Sequence, residues 1–134
     1  MKYFFVTLML SLFLLLPIAA EAAAPVEVDV LYMNHGPLQP TLEKLKTIFT
    51  RYGKAITPRW HDFESQEGKN FMATKGLRQH VPLMIWINGK ETVQVDGASC
   101  SFSGFPSGSG PEFFQGKWTL ESLAKALDQA TGKH

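Results

Sequence analysis

Hydrophobic and polar residues alternate or recur at fixed spacings along most of the chain, and these patterns predict its elements. Residues 25–33 place an apolar side chain at every second position, which is typical of a strand. In residues 42–52 the apolar positions recur at the period of a helix with one buried face. Residues 55–63 are a second strand candidate, and Ser65 is expected to cap a short helix that continues through Lys75.

The second half of the chain begins with an uninterrupted apolar run at 83–87, which suits a strand covered on both faces. Asn88–Gly89 predicts a tight hairpin turn, with residues 91–95 as the returning strand. Asp96–Gly97 predicts another turn, and a further strand is expected over 98–102.

A loop and a helix complete the domain. Residues 103–116 are rich in glycine and proline, which predicts a loop, and Thr119 is expected to cap a last helix that ends at Gly132. The predicted order is β-α-β-α-β-β-α. Two strand–helix–strand steps predict right-handed crossovers and a parallel start to the sheet, to which the hairpin adds an antiparallel edge. The expected fold class is α/β, a small mixed sheet with helices on both faces.

The N-terminal segment has the pattern of a signal peptide. Lys2 precedes an almost wholly apolar stretch at 3–16, and Ala20–Glu21–Ala22 has the small-x-small pattern of a cleavage site. The stretch is too short for a membrane-spanning helix, which needs about 20 residues. We therefore expect residues 1–22 to be a signal peptide. Residues 23–134 are expected to form one periplasmic or secreted domain, without a lipid-anchor cysteine and without membrane attachment after cleavage.

Charge and cysteine content exclude further classes. The chain has 13 basic and 12 acidic residues, which is not the clustered positive charge that nucleic-acid binding requires. Its single cysteine, Cys100, cannot form an internal disulfide. The domain is therefore expected to be stable through its hydrophobic core alone.

The element order and three short segments resemble the thioredoxin fold over residues 26–131. Val81–Pro82, directly before the third strand, is similar to the family's segment around its cis-proline, so the resemblance implies a cis bond there. His35–Gly36–Pro37–Leu38 follows the first strand, where thioredoxins carry Cys-Gly-Pro-Cys. Asp29 lies six residues before His35, at the offset of the family's buried acid.

The chain also departs from that family. His35 and Leu38 occupy both cysteine positions, and dithiol–disulfide exchange needs two thiols. The resemblance therefore implies the scaffold without the dithiol activity, and no catalytic residue is assigned. If Pro40 is the first helical residue, Gln39 caps that helix. The segment 96–117 is much longer than the short turn that thioredoxins have at this point.

A candidate binding surface combines the turn after the first strand, the Val81–Pro82 segment and the 103–116 loop. The loop is expected to be an aromatic flap, since disordered linkers are depleted in aromatic residues. Cys100 is included because it can approach His35 in space. Each assignment has a structural alternative: local hydrogen bonding for the histidine, a turn role for the proline, and burial for the phenylalanines and the cysteine. The candidate ligand-binding residues are Asn34, His35, Gly36, Pro37, Val81, Pro82, Cys100, Phe105 and Phe113.

Two further functions stand beside the leading hypothesis, which is a redox-inactive binding module for a peptide, a protein partner or a small ligand. The first alternative is a thiol-dependent, oxidoreductase-like activity that uses Cys100 with His35 or with a partner's thiol. The second is a periplasmic metal carrier. Histidine, methionine and cysteine are suitable ligands for copper or zinc, but no pair has the spacing of a dedicated site. Neither a metal site nor a cofactor is predicted.

Overall fold

The computed structural model describes residues 22–133, so the predicted signal peptide lies outside the described residues except for Ala22. Within residues 22–133 no helix is long and apolar enough to cross a membrane. The strands are β1 (Val26–Tyr32), β2 (Ile56–Asp62), β3 (Leu83–Ile87), β4 (Thr92–Val95) and β5 (Ala98–Ser101). The α-helices are α1 (Gln39–Thr50), α2 (Gln66–Thr74) and α3 (Leu120–Thr131), and short 3₁₀ turns occupy Gly36–Leu38, Gly53–Ala55 and Glu112–Phe114.

A mixed three-stranded sheet in the order β2-β1-β3 forms the centre of the α/β domain. β1 and β2 are parallel, as expected, but β3 runs antiparallel to β1, so the second crossover is not a parallel one. After α2 the chain continues through residues 75–82 and enters β3 at Leu83, which lies beside Tyr32 at the end of β1.

The expected pairing of β3 with β4 is wrong. The turn at Asn88–Gly89 does form, with both residues at positive φ, but β4 pairs antiparallel with β5 in a separate two-stranded sheet. The free edge of β3 is covered instead by the segment after β5. Ile85 donates its N–H to the Phe102 carbonyl at 2.9 Å, and Gly104 donates to the Leu83 carbonyl at 2.7 Å. The long loop therefore starts on the central sheet.

Both faces of the central sheet are covered by helices. On one face Val28 and Val30 are buried against side chains of α1 and α3, such as Leu45 and Leu123. On the other face a smaller cluster packs beneath α2, formed by Leu31, Phe63, Met72, Met84 and Trp86. The predicted helices on both faces are therefore confirmed.

Local signals place the helix ends of α2 and α3. The Ser65 hydroxyl accepts the Gly68 N–H at 2.9 Å, Thr119 forms a capping box with Ser122, and Gly132 ends α3 at φ 69°. These three predictions are confirmed. For α1 the expected cap is wrong, because Gln39 is already helical and continues directly from the 3₁₀ turn at Gly36–Leu38.

Candidate functional site

Two of the three candidate segments meet because β1 and β3 are antiparallel. The last residue of β1, Tyr32, pairs with the first residue of β3, Leu83. Just beyond this pair the Met33 N–H donates to the Pro82 carbonyl at 2.9 Å. A parallel β3 would have placed its start at the opposite end of β1. The antiparallel direction therefore brings the turn after β1 beside the Val81–Pro82 segment.

The Val81–Pro82 bond is trans, since no peptide bond within residues 22–133 is cis. The expected cis-proline is therefore wrong. With the bond trans, Pro82 lies at a bend just before β3, and its carbonyl accepts the Met33 N–H at 2.9 Å. Trans is also the ordinary preference of X–Pro bonds in folded proteins.

The loop at 103–116 is an ordered structure with its own hydrogen bonds. Phe105 donates its N–H to the Phe114 carbonyl at 2.9 Å, and Gly116 donates to the Phe105 carbonyl at 2.7 Å. The Gln115 side chain accepts the Gly108 N–H and donates to the Gly110 carbonyl, each at 3.0 Å. These bonds connect the two arms of the loop and hold its tip in place.

Close packing fixes the loop against the core. Phe105 is buried, and the buried Trp118 donates its Nε1–H to the Gly104 carbonyl at 3.1 Å. Gly110 has φ +69°, and a Cβ at this position would lie 2.3 Å from the Phe105 ring. Only glycine fits between this backbone and this ring. The loop is therefore partly the expected flap and partly a core element.

The three segments enclose a cavity of about 210 Å³, which we call the apolar groove. Its walls are almost entirely carbon, and they are formed by Met33, His35, Pro37, Leu38, His80, Pro82, Phe105, Pro111 and Phe114. Pockets for drug-sized ligands measure about 300–1,000 Å³. The apolar groove therefore has room for one or two side chains. A larger, shallower depression between α1 and α3 is lined by the charged residues Glu43, Lys44, Arg51 and Glu121.

The predicted site residues divide into three groups. The apolar groove is lined by His35, Pro37, Pro82 and Phe105. Neighbours in the chain that do not line it are Asn34, Gly36, Val81 and Phe113. Of these, Asn34 accepts a hydrogen bond from Gln39 at 2.8 Å, and Phe113 is 89% exposed and packs edge-to-face on Phe114. Cys100 belongs to neither group.

Cys100 lies on β5, away from the apolar groove. Its half-buried Sγ donates to the Ser122 hydroxyl at 3.6 Å, and it lines a separate depression with Asp96 and Lys125. Cys100 and His35 therefore line different depressions and form no joint site in residues 22–133. The reason is the strand pairing, because β5 bonds only to β4 and packs towards the start of α3.

Both histidines of the apolar groove contribute apolar ring surface to it. The His35 Nε2 lies 3.7 Å from a Glu64 carboxylate oxygen, and both side chains are more than half exposed. Such an exposed pair contributes little stability. The His80 ring packs on the Phe63 ring with centroids 4.5 Å apart. The candidate residues did not include His80, Met33, Leu38, Pro111 or Phe114, although the last two lie in the 103–116 loop that the sequence analysis assigned to this surface.

A buried charged cluster lies on the α2 face of the sheet. Asp29 is 3% exposed, as the resemblance implied for this acid. It accepts hydrogen bonds from Arg59 Nε at 2.8 Å and Nη2 at 2.9 Å, and from His61 Nε2 at 2.8 Å. Burial raises the pKa of Asp29, but the hydrogen bonds from Arg59 and His61 outweigh this effect, so the pKa is lowered below its ordinary value.

His61 connects this cluster to α2. It is 7% exposed, and its Nδ1 lies 2.6 Å from a Glu67 carboxylate oxygen. The two ring nitrogens therefore each face a carboxylate, Asp29 on one side and Glu67 on the other. The ring also stacks on Phe71 at 3.7 Å. The cluster therefore fastens α2 to the sheet, and it takes no part in the apolar groove.

Comparisons with known proteins assign no function to this chain. The sequence matches no protein-family model and shows no significant match to a curated protein. Within residues 22–133, no group of three or more histidine, cysteine, aspartate or glutamate side chains is arranged to hold a metal ion. The fold and the site define an α/β domain with a small apolar groove beside the end of β1 and the start of β3.

Proposed function

We propose that this chain is an exported, thioredoxin-like binding domain without dithiol chemistry. It holds an apolar side chain of an extended peptide segment, presented by a protein partner, in the apolar groove. The observation that carries the proposal is the carbon-lined cavity of about 210 Å³, where the turn after β1, the Val81–Pro82 segment and the 103–116 loop converge.

The surface around the apolar groove has the character of an interface. Phe113 is 89% exposed and Phe114 is 46% exposed, and these two residues are the exposed large hydrophobic side chains of residues 22–133. Exposed apolar patches on folded domains mark interaction sites, and aromatic residues at their centre contribute most of the binding energy. The aromatic pair at the rim of the groove therefore favours a protein or peptide ligand.

Free backbone groups beside the groove favour an extended peptide over a small molecule. Within the described part of the chain, the N–H and C=O groups of residues 78–81 take part in no hydrogen bond. Val81 directly precedes Pro82, a residue of the groove wall. An extended peptide can pair with such free groups while one of its side chains enters the adjacent pocket. The size of the cavity fits this one-side-chain arrangement.

The scaffold part of the proposal is supported by the order of elements and by the turn at the end of β1. His35 and Leu38 stand where the resemblance places two cysteines, and Leu38 is buried in the main core. A buried leucine and a half-exposed imidazole supply no thiol for exchange. The proposed export is supported by the pattern of residues 1–22.

The proposal is tested with short peptides that carry one Phe, Leu or Trp in a Gly/Ser background. We expect a phenylalanine peptide to shift the amide signals of Met33, Val81 and Phe114, and the same peptide with serine to shift none. Phe114→Ser removes one groove wall and should weaken binding by about tenfold or more. Lys44→Ser, in the depression between α1 and α3, is the matched control. Shifts confined to that depression, or unchanged binding by Phe114→Ser, would contradict the proposal.

A further inference from the structure

The apolar groove is bounded on one side by Phe114, and a more exposed ring continues the apolar surface beyond it. Phe113 does not line the groove, but its ring packs edge-to-face on the Phe114 ring, which does, with centroids 5.1 Å apart. Phe113 is 89% exposed, the highest value among the large hydrophobic side chains of residues 22–133. A single anchor in the groove does not account for this second ring.

We propose that Phe113 is a second apolar subsite for the same peptide. The domain then recognises extended segments that carry two apolar side chains separated by one residue. The first side chain enters the apolar groove, and the second packs on Phe113. The inference rests on the proposed function, because it uses the same groove and the same extended ligand. It adds the sequence pattern of that ligand, which the groove alone does not define.

The geometry of an extended chain sets the spacing between the two side chains. Neighbouring side chains point to opposite sides, whereas the side chains of residues i and i+2 point to the same side, about 6.4–6.8 Å apart. An anchor in the groove contacts Phe114, and the Phe113 ring lies 5.1 Å from the Phe114 ring, outside the groove. The side chain of residue i+2 is therefore the one that reaches Phe113. The side chain between the two points away from the domain.

The backbone around Phe113 is held in place before a peptide binds. The Phe114 N–H donates to the Pro111 carbonyl at 2.9 Å, and the Phe114 carbonyl accepts the Phe105 N–H at 2.9 Å. A Cβ at Gly104 would lie 2.6 Å from the same carbonyl oxygen, so the two arms of the loop approach closely there. Only the two side-chain torsions of Phe113 then remain to be ordered on binding.

An aromatic residue is favoured at the second position of the ligand. At 89% exposure, at least one face of the Phe113 ring is open to another molecule. Aromatic rings attract each other in edge-to-face or offset-stacked pairs, beyond the gain from apolar area alone. A phenylalanine at residue i+2 is therefore expected to contribute more than a leucine at the same place.

Titrations of the full mature chain with three peptides in a Gly/Ser background test the inference. Phe-Ser-Ser offers one anchor, Phe-Ser-Phe offers two rings at the proposed spacing, and Phe-Phe-Ser has the same composition with adjacent rings. We expect the wild type to bind Phe-Ser-Phe about tenfold more tightly than Phe-Phe-Ser. Both two-ring peptides offer the groove two possible anchors, so their comparison cancels the statistical gain from a second anchor. Equal affinities for these two peptides would overturn the inference.

Substitutions at Phe113 locate the second contact. In Phe113→Ser, the ratio of the affinities for Phe-Ser-Phe and Phe-Phe-Ser should fall to about one, and Phe113→Leu should keep part of the wild-type ratio. Lys117→Ser is the matched control, because this exposed residue follows the same loop but lines the depression that contains Cys100. Its ratio should equal that of the wild type. An unchanged ratio in Phe113→Ser would show that the second ring binds elsewhere and would refute the subsite.

The single-anchor peptide separates this inference from the proposed function. A wild type that binds Phe-Ser-Ser at the groove, but gains nothing from the second phenylalanine, refutes the subsite and leaves the proposed function intact. A wild type that binds none of the three peptides refutes the proposed function, and the subsite fails with it.

Discussion

Replacing Asp29 with asparagine tests the argument that the buried charged cluster fastens α2 to the sheet. The Asp29 carboxylate accepts two hydrogen bonds from Arg59 and one from His61, and asparagine keeps its volume while removing its charge. One oxygen of the carboxylate becomes an amide NH₂ group, which cannot accept from either partner. The variant therefore removes the acceptor either of Arg59 Nη2 or of Arg59 Nε and His61 Nε2 together, and in both cases it removes the buried negative charge.

The expected loss comes mainly from His61. The Arg59 side chain is 47% exposed, so water replaces much of the hydrogen bonding that it loses. Arg59 therefore contributes little to the decrease in the free energy of unfolding. His61 is 7% exposed, so water does not replace the carboxylate that its Nε2 contacts, and in the variant that nitrogen faces a neutral amide. Breaking one partner of a buried ion pair costs about 3–5 kcal/mol. Because Arg59 contributes little, we expect the free energy of unfolding to fall by about 3 kcal/mol, the lower end of this range. This is equivalent to a melting temperature lower by roughly 10–20 °C.

The loss should depend on pH in a defined direction. Because the pKa of Asp29 is lowered in the fold, its carboxylate contributes stability that is complete above its ordinary value of 3.8. That contribution disappears as the pH falls through the pKa that Asp29 has in the folded protein. The difference in the free energy of unfolding between wild type and Asp29→Asn should therefore be largest at neutral pH and should shrink below about pH 3.8.

Urea unfolding followed by tryptophan fluorescence, at neutral pH and again at acidic pH, measures both effects. Glu27→Gln is the matched control, since this exposed carboxylate contacts the same arginine at 3.3 Å without being buried. We expect it to change stability by less than about 1 kcal/mol. An Asp29→Asn variant within about 1 kcal/mol of the wild type at neutral pH, or a loss that stays constant at acidic pH, would refute the reasoning.

Three further predictions concern the loop, the last helix and the cysteine. Gly110→Ala should lower the free energy of unfolding by about 1–3 kcal/mol, because its Cβ would lie 2.3 Å from the Phe105 ring at φ +69°; urea unfolding checks this. Thr119→Ala should cost about 1 kcal/mol in the same assay through loss of the capping box. Cys100→Ser should leave peptide affinity unchanged in the amide titration, since Cys100 does not line the groove; weaker binding would revive a thiol-dependent function.

The sequence analysis predicted features that depend on a few neighbouring residues. Ser65, Thr119 and Gly132 mark helix ends because caps and left-handed residues act within one turn. The continuous apolar run in β3 likewise indicates a strand covered on both faces. β1 is also buried on both faces, although its sequence alternates between apolar and acidic residues. Such signals are contained in the segment itself, so no knowledge of the tertiary structure is needed to interpret them.

Strand partners were predicted less well because turn residues specify only the local backbone. Asn88–Gly89 forms its turn at positive φ, yet β4 leaves β3 and pairs with β5. Which segment covers the edge of β3 depends on competition between β4 and the residues around Phe102, and Phe102 is fully buried when it lies there. Burial of that ring is a tertiary effect that the turn sequence does not encode.

The candidate site could be predicted in position but not in detail. His35 and Pro82 were assigned to one surface through the resemblance, and Phe105 through the aromatic loop that departs from it; all three line the apolar groove. Phe113 and Phe114 are adjacent, and nothing in their sequence indicates which ring faces the cavity. The partners of His61 lie on β1 and α2, so its role required the three-dimensional arrangement.

Among the segments that line the groove, the loop at 103–116 supports the proposed function more than the turn after β1 does. In that turn Leu38 is buried, so one of the two positions that resemble a dithiol motif belongs to the core. In the loop, by contrast, Phe105 and Trp118 anchor the backbone while Phe113 stays exposed to water. An exposed ring on a loop with fixed backbone loses little conformational entropy when it binds. Core anchors at both ends and exposed rings on the returning arm are what a preorganised binding element requires.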